Sequence, residues 1–235
     1  MAFSQQRSYL FVPGHRPERF DKACAAGADV VIVDLEDAVA PTDKPAARAA
    51  VADWLQARRP VALRINGADT AWFDDDLALC RHPAVTAVVL PKAEQADDLR
   101  RVAAAAPQAA LLPLIETARG FANLSALAGA SSVQRLVFGS VDFQLDLGIE
   151  GEGEELLHFR SGIVLASRLA RIDAPVDGVS LALNDLHALQ SQALRARRLG
   201  FGAKLCIHPN QVPTVNAAFT PSPDEIAWAR RVVEA

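Results

Sequence analysis

The chain has 235 residues, of which 51% are hydrophobic and 22% charged, with a formal charge of -4 and a pI near 5.7. That length and apolar content bury a large core without disulfide or metal staples, and the acidic balance argues against a general nucleic-acid binder. The apolar stretch in MAFSQQRSYLFVPG is too short for a secretory signal or a membrane span, and Cys24, Cys80 and Cys206 have no metal-ligand or disulfide spacing, so the expectation is a soluble, cytoplasmic protein.

Along the chain one rhythm repeats: a short apolar run, a loop with a polar residue, then an Ala-rich amphipathic stretch. The runs are Tyr9–Val12, Val30–Asp34, Val61–Ile65, Ala87–Leu90, Ala110–Ile115, Arg135–Phe138, Val176–Val179 and Ala203–Ile207. Between them the pattern predicts helices at Pro17–Ala26, Lys44–Arg58, Ala93–Ala105, Ala118–Leu127, Glu154–Ala170 and Asp185–Leu199, among others. Apolar strands alternating with helices imply a parallel sheet covered by helices. Eight units at this length favour one closed (β/α)8 barrel over an open doubly wound sheet, and the first turn, VPGHRPERF, lacks the glycine spacing of a dinucleotide fold.

A barrel carries its chemistry at the C-terminal ends of its strands. Those ends hold His15 and Arg16 after run one, Asp34, Glu36 and Asp37 after two, and Arg64 and Asn66 after three. Lys92 follows run four, Glu116 five, Asp142 and Asp146 six, and His208 and Asn210 eight. Stability does not require such convergence, because barrel interiors prefer branched apolar side chains.

Glu116 and Asp142 are the candidate metal ligands. They leave consecutive, hence neighbouring, strands, and two carboxylates completed by water and substrate oxygens suit Mg²⁺; no His/Cys cluster suggests zinc. The alternative is that each carboxylate caps the helix that follows it. Arg64 leaves a buried strand, so its guanidinium needs anions: a substrate carboxylate held bidentately, or Glu36 and Asp37 across the neighbouring strand, two readings that are compatible. Lys92 so close to acids stays protonated, which makes it a charge-network residue rather than a Schiff-base former. His15 and His208 read as satisfied turn histidines. Arg16 and Lys44, beside helix N-termini, are candidates for holding phosphate, whereas Arg19, Lys22 and Arg48 read as solvated helix faces.

These motifs resemble a known family. LFVPGHRPERFDKA, ADVVIVDLEDAVAPTDKPAAR, LRIN, VVLPKAE, LIETARG, VFGSVDF and KLCIHPNQVPTVNAAFTPSPDEIAWARRVVEA are similar, in order and over almost the whole chain, to the citrate lyase beta subunit-like branch of the HpcH/HpaI aldolases. The resemblance implies a (β/α)8 barrel, a homo-oligomer with a trimer favoured, and one Mg²⁺ per site on Glu116 and Asp142. It implies that Arg64 holds the oxo-acid carboxylate and that Glu36 and Asp37 position groups around the ion. Arg64, Glu36 and Asp37 are thus the candidate catalytic set, with Arg64, Arg16 and Lys44 contacting the substrate and its coenzyme A or acyl-carrier arm.

The implied activity is Mg²⁺-dependent cleavage of a citryl-, citramalyl- or malyl-type thioester to a 2-oxo acid and an acyl thioester. The same pocket would serve a malyl-CoA-type thioesterase, a carrier-free 2-oxo acid aldolase or a non-catalytic oxo-acid-binding subunit. In lyases of the family a segment beyond the last helix closes over a neighbouring subunit's site and supplies an aspartate. The expectation is therefore one barrel domain over 1–235, with 209–235 the start of a C-terminal helical extension cut short.

Overall fold

The computed structural model describes residues 6–57 and 59–234. Its strands are β1 Ser8–Pro13, β2 Val30–Asp34, β3 Val61–Arg64, β4 Val85–Leu90, β5 Ala110–Ile115, β6 Val137–Phe138, β7 Val176–Asp177 and β8 Ala203–Cys206. Each pairs in parallel with the next, and β1 with β8, which closes the barrel in sequence order. All eight apolar runs became strands, with β6 and β7 shorter than the sequence suggests.

The helices are α1 Phe20–Cys24, α2 Lys44–Leu55, α3 Phe73–Cys80, α4 Ala96–Ala105, α5 Ala118–Ala122, α6 Leu124–Ala128, α7 Ser140–Leu147, α8 Leu157–Leu169, α9 Leu186–Leu199, α10 Val212–Phe219 and α11 Pro223–Val233. Several boundaries moved. The first and fifth predicted helices open as short 3₁₀ turns at Pro17–Arg19 and Glu154–Leu156, and Ala118–Leu127 breaks in two at Asn123. The end of the second, at Arg58, lies outside the described residues. α3 and α7 escaped the periodicity reading; α3 carries Asp74, Asp75 and Asp76 in its first turn, where the helix dipole favours negative charge.

Side-chain alternation along the strands builds two apolar layers. Ile32, Ala62, Val89, Leu112 and Leu114 face the barrel interior, while Val33, Leu63, Val88, Leu111 and Ile115 face the helices. Continuing the inward series past its last apolar member gives Asp34, Arg64 and Glu116. The alternation that fills the barrel therefore also aims these polar side chains into its mouth.

Two buried charged groups fasten other parts of the barrel. Arg135 closes the end opposite the mouth, where Nε donates to Ala174 O at 2.6 Å and Nη1 to Gln6 O at 2.8 Å. On the outer layer, Asp177 accepts from Arg160 Nε at 2.9 Å and Lys204 Nζ at 2.8 Å, tying β7 to α8 and β8. Beyond the barrel, α10 buries Val212, Val215, Ala218 and Phe219, whereas α11 buries no residue. Among the described residues no helix is long and apolar enough to cross a membrane.

Candidate active site

β2 and β3 run in register, with Asp34 directly beside Arg64. Side chains at paired positions of parallel strands share a face, so the carboxylate and guanidinium meet as a fork: Nε to Asp34 Oδ1 at 2.7 Å and Nη2 to Oδ2 at 2.6 Å. Nη1 reaches Glu36 Oε2 at 3.0 Å and Asp37 Oδ2 at 3.1 Å. The ion-pair reading of Arg64 is thus present. Its principal partner, however, is Asp34, and that pairing removes the Nε edge from any substrate. The cross-strand register was the signal in the sequence that would have found this partner.

Glu36 is buried and half-committed. Oε1 accepts from Lys92 Nζ at 3.3 Å, whereas Oε2, though close to Arg64, has no hydrogen-bond donor in line. Burial raises its pKa to about 7, with Arg64 pulling down and Asp37 pushing up. Lys92 stays a cation, because Glu36 more than offsets its partial burial.

Glu116 does not cap the helix that follows it. Thr117 does, accepting from Gly120 N, and Asp146 accepts from Ala118 N at 2.7 Å. Glu116 instead turns inward, where Oε1 accepts from the Lys92 main-chain N–H at 2.7 Å. Burial, then the nearby charge of Glu36 and Asp142, lift its pKa to about 8. Asp142 lies half-buried in the first turn of α7 and is also raised, by burial and by Asp37. Gly139, the residue ahead of α7, leaves the room that the Glu116 side chain occupies, since a Cβ there would lie 2.6 Å from both Glu116 Cβ and Oε2. Arg64, Glu116 and Asp142 line one cavity of about 50 Å³, floored by Phe11, Leu114, Phe138, Val179 and Leu205.

The donor chemistry fits a hard divalent cation. Asp34, Glu36, Asp37, Glu116 and Asp142 outnumber Arg64 and Lys92, and burial raises three of the five, Glu36 to about 7, Glu116 to about 8 and Asp142 upward from its ordinary value. Such acids are relieved by a cation that favours oxygen. Among the described residues no group of three or more His, Cys, Asp or Glu side chains gathers to hold a metal, so water and substrate oxygens would complete the shell, as Mg²⁺ prefers.

The other candidates separate. Lys44 is 6% exposed and donates to Leu35 O at 2.9 Å and Glu36 O at 3.0 Å; it holds the acidic turn rather than presenting an ammonium to phosphate. Arg48 pairs with buried Asp76 at 2.8 Å, and Asp76 in turn accepts from the Asn66 side chain at 2.6 Å. Arg16 stands partly exposed against Glu18 at 2.6 Å on the rim of the mouth. His208 Nδ1 accepts from Asn210 N at 3.2 Å, a satisfied turn histidine.

The family described as HpcH/HpaI aldolase/citrate lyase matches residues 7–209. The chain belongs to this family. It is 41% identical over 235 residues to a citrate lyase subunit beta-like protein from Mycobacterium tuberculosis, covering 97% of this chain and 84% of that one. A (3S)-malyl-CoA thioesterase from Cereibacter sphaeroides is 36% identical, covering 97% and 82%, and an L-malyl-CoA/beta-methylmalyl-CoA lyase from Rhodobacter capsulatus 33%, covering 97% and 83%. Among solved structures, CitE of M. tuberculosis in complex with magnesium, acetoacetate and coenzyme A superposes with a TM-score of 0.86 at 38% identity, covering 98% of this chain and 86% of that one. In the HpcH/HpaI frame the acidic mouth of this barrel sits where the family's (β/α)8 architecture puts chemistry.

Proposed function

We infer that the protein is an Mg²⁺-dependent carbon–carbon lyase that splits a citryl-, citramalyl- or malyl-type thioester of coenzyme A or an acyl carrier into a 2-oxo acid and an acyl thioester. The observation that carries this reading is one cavity lined together by Arg64, Glu116 and Asp142. It sets a cation for a carboxylate beside oxygens for a hard metal.

Glu116 and Asp142 would hold the Mg²⁺, which when bound supplies polarisation of the substrate's hydroxyl and carbonyl oxygens. Arg64 binds and orients the oxo-acid carboxylate through the donors Asp34 leaves open. In the cleavage direction the β-hydroxyl gives its proton to the Glu36 carboxylate, the adjacent carbon–carbon bond breaks, and the electron pair moves onto the thioester as an enolate, which takes that proton back from Glu36. Glu36, its pKa pushed up to about 7 and its Oε2 beside Arg64 Nη1 at 3.0 Å without an aligned hydrogen bond, is the group we assign to carry that proton, because a catalytic acid–base works best near the operating pH. Asp37, on the solvent side of Arg64, orients the guanidinium. The apolar floor excludes water from the enolate. Arg16, on the mouth's rim, is placed to meet the thioester's phosphate-bearing arm.

The same reading includes a cytoplasmic homo-oligomer, with a trimer favoured. Its supports are free cysteines at 24, 80 and 206 and apolar side chains exposed on the helices, such as Leu145 and Leu169 at 77% and 75% exposure. Light scattering of the purified protein tests it; a monomer at micromolar concentration would refute it.

Product analysis tests the activity. Citramalyl-, malyl- and citryl-CoA incubated with protein and Mg²⁺ should release a 2-oxo acid. Release of free hydroxy acid without 2-oxo acid would make the protein a thioesterase, the activity in the name of the C. sphaeroides relative.

A further inference from the structure

Asp34 lies 2% exposed at the last position of β2, and its side chain makes four hydrogen bonds. Oδ1 accepts from Arg64 Nε at 2.7 Å and from the main-chain N–H of Glu36 at 2.9 Å. Oδ2 accepts from Arg64 Nη2 at 2.6 Å and from the N–H of Ala38 at 3.2 Å. Its main-chain carbonyl accepts from Gly14 N at 2.7 Å, an approach only a glycine allows, because a Cβ on Gly14 would stand 2.7 Å from the same oxygen. One side chain therefore binds the guanidinium and the turn that carries Glu36 and Asp37, and its main chain draws in the first loop.

The consequence is directional. The guanidinium plane packs over Phe11, with Cζ 4.8 Å from the ring centroid, and its Nε–Nη2 edge is filled. The remaining end, Nη1 and the second hydrogen of Nη2, faces Glu36 Oε2 at 3.0 Å and Asp37 Oδ2 at 3.1 Å. A substrate carboxylate therefore reaches Arg64 there by taking the place of one of these acids on Nη1. An unheld arginine presents several edges to a carboxylate; this one presents a single place that fits one carboxylate.

We propose that Asp34 is a positioning residue that selects the edge of Arg64 used to bind the oxo-acid carboxylate, and that it couples this edge to the Glu36–Asp37 turn. The proposal rests on the lyase reading for the identity of the ligand, but the hold of Asp34 on Arg64 is separable from it. Asp34 touches neither Glu116 nor Asp142 among the hydrogen bonds described, so its effect on ligand binding passes through Arg64 and the Glu36–Asp37 turn rather than through the metal ligands.

The test uses ¹⁵N-labelled full chain, with the Arg64 Nε–Hε signal assigned by its loss in Arg64→Lys. In Asp34→Asn that proton should exchange with water about tenfold faster, because a charge-assisted acceptor becomes a neutral amide. Calorimetry with Mg²⁺ and pyruvate should show binding weakened about tenfold, Mg²⁺ affinity within about threefold of wild type, and little further loss when Asp34→Asn is added to Arg64→Lys. Asp34→Glu, which keeps the charge but moves it by a methylene, should retain the slow Nε–Hε exchange while weakening pyruvate binding. It also serves as the decisive variant if Asp34→Asn does not fold. A folded variant with unchanged pyruvate affinity overturns the proposal, as does a loss of equal size in the Arg64→Lys background. Should wild type bind no oxo acid, the lyase reading fails and the exchange rate alone decides: unaltered exchange in Asp34→Asn refutes the hold of Asp34 on Arg64.

Discussion

The main-chain N–H of Lys92 donates 2.7 Å to Glu116 Oε1 from a left-handed backbone at φ 46°. A non-glycine residue there is uncommon and costs about 1 kcal/mol. The cost is borne next to a carboxylate assigned to a metal, where the main-chain donor fixes one oxygen of Glu116. Replacing Lys92 should therefore separate backbone from side chain. Lys92→Gly is expected to be more stable than Lys92→Ala by about 1 kcal/mol, and both should keep the donor to Glu116. Urea unfolding of the two variants measures the difference; coincident midpoints would show that the left-handed turn carries no strain.

Metal-free protein should lose stability as pH rises. Glu116 titrates at about 8 and Glu36 at about 7, both above the ordinary value of 4.5, and Asp142 is shifted the same way. The folded state then binds protons more tightly than the unfolded chain. The destabilisation is absent below about pH 4.5 and complete above about pH 8. Thermal midpoints measured from pH 5 to pH 8.5 should fall without Mg²⁺ and stay flatter with it, because the ion binds the deprotonated acids and releases their protons. A rising or level midpoint without metal contradicts the buried, mutually repelling cluster.

Glu116→Gln or Asp142→Asn should each abolish Mg²⁺-dependent oxo-acid binding, since each removes a ligand charge. Isothermal titration of Mg²⁺, then of oxaloacetate, pyruvate and glyoxylate, reads this directly. Metal affinity unchanged in both variants would withdraw the assignment.

Arg64→Lys should weaken oxo-acid binding by on the order of tenfold or more, because an ammonium cannot reproduce the fork. Asp34 would also lose its two parallel donors, so the variant should unfold at a lower temperature as well. An unaltered dissociation constant would leave Arg64 a structural ion pair.

Much of this site was legible in the sequence. Apolar runs ending in polar residues placed Glu36, Arg64, Glu116 and Asp142 at one mouth, because strand period and barrel closure are local properties that add up. The lost parts depend on pairing between distant segments. The partnership of Asp34 with Arg64 needs the β2–β3 register. The burial of Lys44 needs the turn at Leu35 and Glu36 to fold back over α2, and helical periodicity does not report where a loop goes. α3 was missed because its acidic first turn dilutes the apolar pattern around Phe73, Leu77 and Cys80.

Gly139→Ala tests the cavity by shape rather than charge. Its new Cβ would stand 2.6 Å from Glu116 Cβ, a contact a rotamer change in the carboxylate cannot relieve, because Cβ moves only with the main chain. Either β5 and the start of α7 spread or Glu116 leaves its place. Overpacking of this kind costs about 1–3 kcal/mol, and the displaced ligand should weaken Mg²⁺ affinity about tenfold or more. Ser140, the next residue, already carries a side chain, so Ser140→Ala is the control: it adds no volume and should leave Mg²⁺ affinity within about threefold of wild type. Thermal unfolding and Mg²⁺ titration of the pair decide the matter. Gly139→Ala with wild-type metal affinity would mean that Glu116 is not held against the α7 terminus when the ion is bound.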